Sequence, residues 1–257
     1  MSNSAMNFLE KNHIPLSFGM YKICRLQDIN QILDSYQVAC GSELKNVCVR
    51  DILGFDYHLY YGSSDFFTSF CHYFDDKGDS YHSRDNGMLQ YSSSEMVERL
   101  QKSFEEEPIS VKEMDDTYFI SINGLHRFHI LKCSYLGEIS KCKTREEMDE
   151  VDKKFVIPAK VSKIDIFKSY CNFLLHNFSL GDYWFYCDGK RSDLCEISYS
   201  SSKVRLTDYE LVSFIKERVD FSKVSIKELD YLCQEYPSFK EFMDEYFMDF
   251  MLEGRRK

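Results

Sequence analysis

The period of the apolar positions changes several times along the chain, and each change marks an element. Leu26, Ile29, Ile32, Leu33 and Tyr36 recur at helical spacing and predict a helix over 26–38. Residues 46–53 mix apolar and charged positions and fit either a short strand or a helical turn, while aromatic alternation over 55–61 predicts a strand. Ser63 or Ser64 suits the N-cap of a helix over 65–74, and 75–87 is the most polar, loop-like stretch. Met96, Val97, Leu100 and Phe104 predict a helix capped by Ser93 or Ser94 and stopped before Pro108. Residues 109–111 and 118–122 then read as adjacent strands joined at Asp115-Asp116.

The most informative change of period lies in the middle of the chain. The aromatic and β-branched run 118–122 gives way at Asn123-Gly124, two residues that tolerate positive φ, to a helix with Leu125, Phe128, Leu131 and Tyr135 on one face. Gly137 is the expected glycine just past its end. Thr144 and Glu147 form a capping box for a charged helix to about 154, followed by a strand over 155–161. An apolar helix over 164–178 and a hairpin around Asp188-Gly189 come next. A second capping box, Thr207 with Glu210, opens a helix through 219, and two further helices over 225–236 and 238–252 are separated by Pro237.

Composition narrows the class. With 257 residues and 16% aromatics the chain has material for a substantial core. A net charge of −10 disfavours broad electrostatic binding to DNA. The ten cysteines form no CxxC pair and no zinc-finger spacing, so no metal site is expected. Without a secretory signal or a long apolar run, they are expected to be mostly reduced core residues of a cytoplasmic protein that does not engage a membrane.

Strand, glycine turn and helix start are also the parts of an anion site. Unpaired N–H groups at a helix N-terminus attract negative charge, and a glycine there removes the Cβ that would block a phosphate. An ordinary strand–helix corner with a surface His and Arg has the same pattern. Asn123-Gly124-Leu125-His126-Arg127 resembles the signature turn of the ParB/sulfiredoxin-like superfamily. The preceding helix around 94–104, Pro108-Ile109-Ser110-Val111 and the closing strand Ile157-Pro158-Ala159-Lys160-Val161 stand in that family's order.

The resemblance implies an α+β module with a small mixed sheet over 82–165, an N-terminal α/β extension over 1–81, and a mainly helical C-terminal region over 166–257. It also implies that Asn123, Gly124, Leu125, His126 and Arg127 hold a nucleotide or phosphorylated small molecule, such as ATP or CTP with Mg. Arg127 supplies planar charged donors and His126 a proton near neutral pH, which makes His126 the candidate catalytic residue. His129 is expected on the helix surface. Two departures matter. Asn123 stands where phosphate-transferring relatives have an acid, and an amide is no general base. Leu125 stands where peroxiredoxin-reducing relatives have cysteine, which excludes that reaction. Glu95, Glu98, Glu113, Asp85, Asp115 and Asp116 are other acids near the module. Three readings stay open: an NTPase or small-molecule phosphotransferase, a non-enzymatic DNA-associated or regulatory protein, and an interaction module that has lost activity.

Overall fold

In the computed structural model the described residues are 10, 24–26, 30–56, 93–121, 124–179, 181–187, 194–199, 201–220 and 223–225. They form an α+β protein that divides into two compact units, residues 1–34 with 42–163, and residues 35–41 with 164–257.

The first unit contains a six-stranded mixed sheet. In chain order its strands are β1 (Cys24–Arg25), β2 (Ala39–Cys48), β3 (Ile52–Phe55), β4 (Ile109–Met114), β5 (Thr117–Ile120) and β6 (Val156–Ile164). They lie side by side in the order β1-β3-β5-β4-β6-β2. β4 and β5 form the expected antiparallel pair, and the turn between them holds Asp115 at φ 48° and Asp116 at φ 58°. Asp is among the few residues with a side chain that tolerate this region, and two positive φ angles in succession match the twist of a tight hairpin. β3 runs parallel to β5, and β6 parallel to β4. β1, β2 and β3, from the described residues before 57, are strands of the same sheet as β4, β5 and β6.

Among the described residues, three helices belong to this unit besides the α1 turn (Gln31–Tyr36), part of which lies in it: α2 (Ser93–Glu106), α3 (Leu125–Ile139) and α4 (Arg145–Lys154). Val97, Leu100 and Phe104 of α2 join Phe55, Ile109, Val111, Ile120, Phe128, Leu131 and Phe155 in one core. The capping box of Thr144 and Glu147 on α4 is present, with both side-chain-to-backbone bonds made. α3 departs from the amphipathic expectation, because every residue from 128 to 137 is buried. Gly137 lies inside the helix, which ends two residues later and is followed by Ser140.

The second unit pairs α5 (Ile166–Phe178) and α6 (Asp208–Arg218) with an antiparallel sheet of β7 (Tyr183–Cys187), β8 (Leu194–Tyr199) and β9 (Ser202–Thr207). The hairpin and both helix starts match expectation, with Asp165 capping α5 and the Thr207–Glu210 box capping α6. Lys168 is fully buried, with Nζ 3.2 Å from Asp165 Oδ2 and 3.1 Å from Asp208 Oδ1. Burial alone would lower its pKa, but the two carboxylates outweigh burial and leave it raised. The predicted elements over 57–92 and 226–252, including the tail helices, lie outside the described residues.

Among the described residues no helix is long and apolar enough to cross a membrane. The expectation of reduced cysteines needs one correction. Cys40 is disulfide-bonded, whereas Cys48, Cys133, Cys142, Cys171 and Cys195 are free.

Candidate functional site

The turn singled out in the sequence does join a strand to a helix. β5 ends at Ile120, and α3 begins at Leu125 after Gly124, whose φ of 85° and ψ of 5° are left-handed. A Cβ on this glycine would overlap Ile109 Cγ2 and stand 3.0 Å from Ile109 Cβ. Glycine is thus demanded twice by the fold itself, once by φ and once by the approach of β4. Asn123 and the His126 side chain lie outside the described residues. Gly124 gives α3 no side-chain cap, and the first turn of α3 carries no acid. Among helices of ten residues or more with a described N-cap, α4, α5 and α6 are all capped by a side chain.

Arg127 does not stand open as a phosphate ligand. Its Nη1 donates to Ser103 O at 3.0 Å, Ser103 Oγ at 3.2 Å and Glu107 O at 2.8 Å. Its guanidinium lies 4.8 Å from the Phe104 ring centroid, and Nη2 is 3.7 Å from Glu107 Oε2. The last turn of α2 has no basic residue of its own, so Arg127 supplies the positive charge and donors that the end of this helix lacks. Through these contacts Arg127 ties the start of α3 to the end of α2. Arg127→Ala is expected to destabilise the protein by about 1.5–3 kcal/mol, the scale of hydrogen bonds to a charged group, measured by urea unfolding. Arg127→Lys keeps the charge but not the fork, and should recover only part of that loss.

His129 is likewise not on the surface. It is fully buried, its Nδ1 donates to Leu125 O at 2.8 Å, and its ring stacks on Phe55 at 5.5 Å and 19°. One turn on, the ammonium of Lys132 is also buried and reaches the carbonyls of Val49 at 2.8 Å, Ile52 at 3.2 Å and Arg50 at 3.4 Å. Burial lowers its pKa to about 8, against the opposing pull of Cys48, Asp51 and Asp152. Tyr135, a further turn along, donates to Asp152 Oδ1 at 2.9 Å, and burial together with that carboxylate raises its pKa. These groups hold α3 to the 3-10 turn Val49–Asp51 and to α4.

The acids named from the sequence do not converge on the turn. Glu95, Glu98, Asp115 and Asp116 are exposed, Glu113 is buried and paired with Lys45 at 3.3 Å, and Asp85 lies outside the described residues. The acid that sequence reasoning missed is Asp56. It follows β3, its N–H donates to Ile120 O at 3.1 Å, and it is 5% exposed. Asp56 Oδ2 is 2.7 Å from Lys112 Nζ, while Oδ1 is buried without a hydrogen-bond partner among the described residues. Burial raises its pKa despite the lysine. Its only sequence signal was a charge inside an aromatic run, Phe55-Asp56-Tyr57.

Asp56 and the α3 turn thus share the carboxyl end of the parallel pair β3 and β5, where open sheets commonly bind ligands. Asp56 points to the face opposite Phe55, the residue that packs on Phe128 of α3. No family model matches the chain, and no curated protein or solved structure is significantly similar to it. Among the described residues, no group of three or more His, Cys, Asp or Glu is placed to hold a metal ion.

Proposed function

We propose that the chain binds the phosphate of a nucleotide or of a phosphorylated small molecule at the start of α3, in the manner its 123–127 turn shares with the ParB/sulfiredoxin-like superfamily. The observation that carries this reading is the opening of a 15-residue helix at a left-handed glycine, with neither a side-chain cap nor an acid in its first turn. The backbone N–H groups at 125–127 are the anion's donors in this reading, with Asn123 beside them. His126 is the proton donor, and Arg127 acts at one remove by fixing the turn. Any Mg arrives on the phosphates of ATP or CTP.

The test is thermal denaturation with ATP, ADP, CTP and GTP, each with and without Mg, on the native protein and on His126→Glu. At a hundred times Kd a ligand that binds only the native state adds about 2.7 kcal/mol and raises Tm. His126→Glu places a carboxylate in the first helical turn. It should leave the free protein as stable or slightly more so, by about 0.3–1 kcal/mol, and abolish the ligand's effect. If none of the four nucleotides, nor inorganic phosphate, moves Tm at millimolar concentration, the reading fails.

A further inference from the structure

The second unit carries a surface that the α3 site does not explain. Alternation along β7 sends Tyr183 inward, against Phe214 of α6 at 5.7 Å, and turns Trp184 and Tyr186 outward. Trp184, the only tryptophan of the chain, is 61% exposed, and Tyr186 is 54% exposed. Pairing across the sheet aligns Trp184 with Ser198 and Lys203, and Tyr186 with Glu196 and Arg205. One open face therefore presents two aromatic rings on β7 and two cations on β9. Both cations are 68% exposed, and Glu196 lies between them at 2.9 Å from Lys203 and 3.4 Å from Arg205. The Lys203 ammonium stands 5.8 Å from the centre of the Tyr186 ring, and His176 meets Trp184 edge-on at 6.2 Å.

Two such rings side by side make a contiguous apolar patch rimmed by charge, the pattern of an interaction site. The charge beside them selects the partner: two cations against one carboxylate, on a chain whose net charge is −10. We propose that this face binds single-stranded nucleic acid, with bases stacking on Trp184 and Tyr186 and phosphates running over Lys203 and Arg205. Stacking tolerates any base, because every base has a π face, and it requires an unpaired strand, because a duplex hides those faces. Two phosphate contacts also keep the affinity modest and the salt dependence shallow. For single strands the slope of log K against log salt should be about −1.4. Glu196 works against binding by neutralising one cation.

Trp184 makes the test direct, since all tryptophan fluorescence comes from this face. The full chain is titrated with 12-nucleotide single strands of DNA and of RNA, and with the corresponding DNA duplex. Fluorescence is followed on the native protein, and anisotropy of labelled strands is followed for the variants. Single strands should quench Trp184, and the duplex should bind at least ten-fold more weakly. A preference between the DNA and RNA strands would identify the source of the strand. Tyr186→Ala and the double change Lys203→Ala with Arg205→Ala should each weaken binding about ten-fold, as should Trp184→Ala read by anisotropy. Glu196→Gln should tighten it. All five positions lie on the outer face of the sheet, so unchanged melting temperatures are expected and separate lost binding from lost folding. The proposal is overturned if single strands leave the fluorescence unchanged up to about 100 times the concentration at which a micromolar site would saturate. Equal binding of duplex, or indifference to Tyr186→Ala, also overturns it. So does a blue shift of Trp184 that depends on protein concentration alone, which would assign the face to a second copy of the chain.

Discussion

Gly124→Ala is expected to remove about 2–5 kcal/mol of stability, a large part of what a domain of this size holds. Two costs add. A residue with a Cβ held in the left-handed region costs about 1–2 kcal/mol, and φ at this position is 85°. The new methyl would also overlap Ile109 Cγ2 and lie 3.0 Å from Ile109 Cβ, an overpacking cost of about 1–3 kcal/mol. Ile109 is fully buried on β4 and cannot swing aside. The two costs separate in a double-mutant cycle. Leucine has no β-branch, so Ile109→Leu removes the clashing methyl at nearly constant volume. In that background Gly124→Ala should cost mainly the backbone part, about 1–2 kcal/mol, since the approach to Cβ remains but the overlap with Cγ2 is gone. If urea unfolding gives the same cost in both backgrounds, Ile109 is not the obstacle, and the close approach of β4 to the turn is wrong.

The same glycine shows how far the sequence could be read. Its turn, the strand before it and the helix after it follow from a local change of period. The capping boxes at Thr144 and Thr207 and the Asp115-Asp116 turn are also local, since each needs only residues within four positions. What escaped the sequence is decided over distance. β2 gave no apolar alternation because Ser42, Glu43 and Leu44 in its middle are exposed, and β9 gave none because Leu206 alone among its six residues is buried. The acceptors of Arg127 lie 20 and 24 residues upstream, so its tie to the end of another helix could not be read from the turn. Asp56 became visible only when Lys112 was found across the sheet from it. Charged groups at a turn are legible as candidates, and their commitments are not. For the proposed site, that puts the weight on the backbone N–H groups at the start of α3.

Lys132→Met is the other change with a large expected effect, and its size should depend on pH. Methionine keeps the apolar stem, so packing between the Phe128 and Tyr135 rings, 5.9 and 5.4 Å from Nζ, is largely retained. The three carbonyls around Val49–Ile52 lose their common donor, at about 1–3 kcal/mol for each that is left fully desolvated. Against this stands the cost of burying the ammonium. Its pKa falls from 10.5 to about 8, and that shift corresponds to about 3 kcal/mol against the charged form. At pH 7 the two effects partly cancel, and the variant should be less stable by about 1–3 kcal/mol. Between pH 8 and 10.5 the unfolded chain holds the proton while the folded chain has released it. Stability of the native protein therefore gains with rising pH from this group, and the variant has no such gain. The deficit of Lys132→Met should accordingly widen by about 2–3 kcal/mol between pH 7 and pH 10. The comparison is made as the difference between the two proteins in urea unfolding, so that titrations common to both, such as that of Tyr135, drop out. A deficit that stays constant across this range would mean that Lys132 keeps its proton in the folded state, its charge held by the three carbonyls and by the carboxylates of Asp51 and Asp152. A variant more stable than the native protein at pH 7 would mean that the carbonyls do not need the lysine at all, and α3 would then be held to the Val49–Asp51 turn by packing alone.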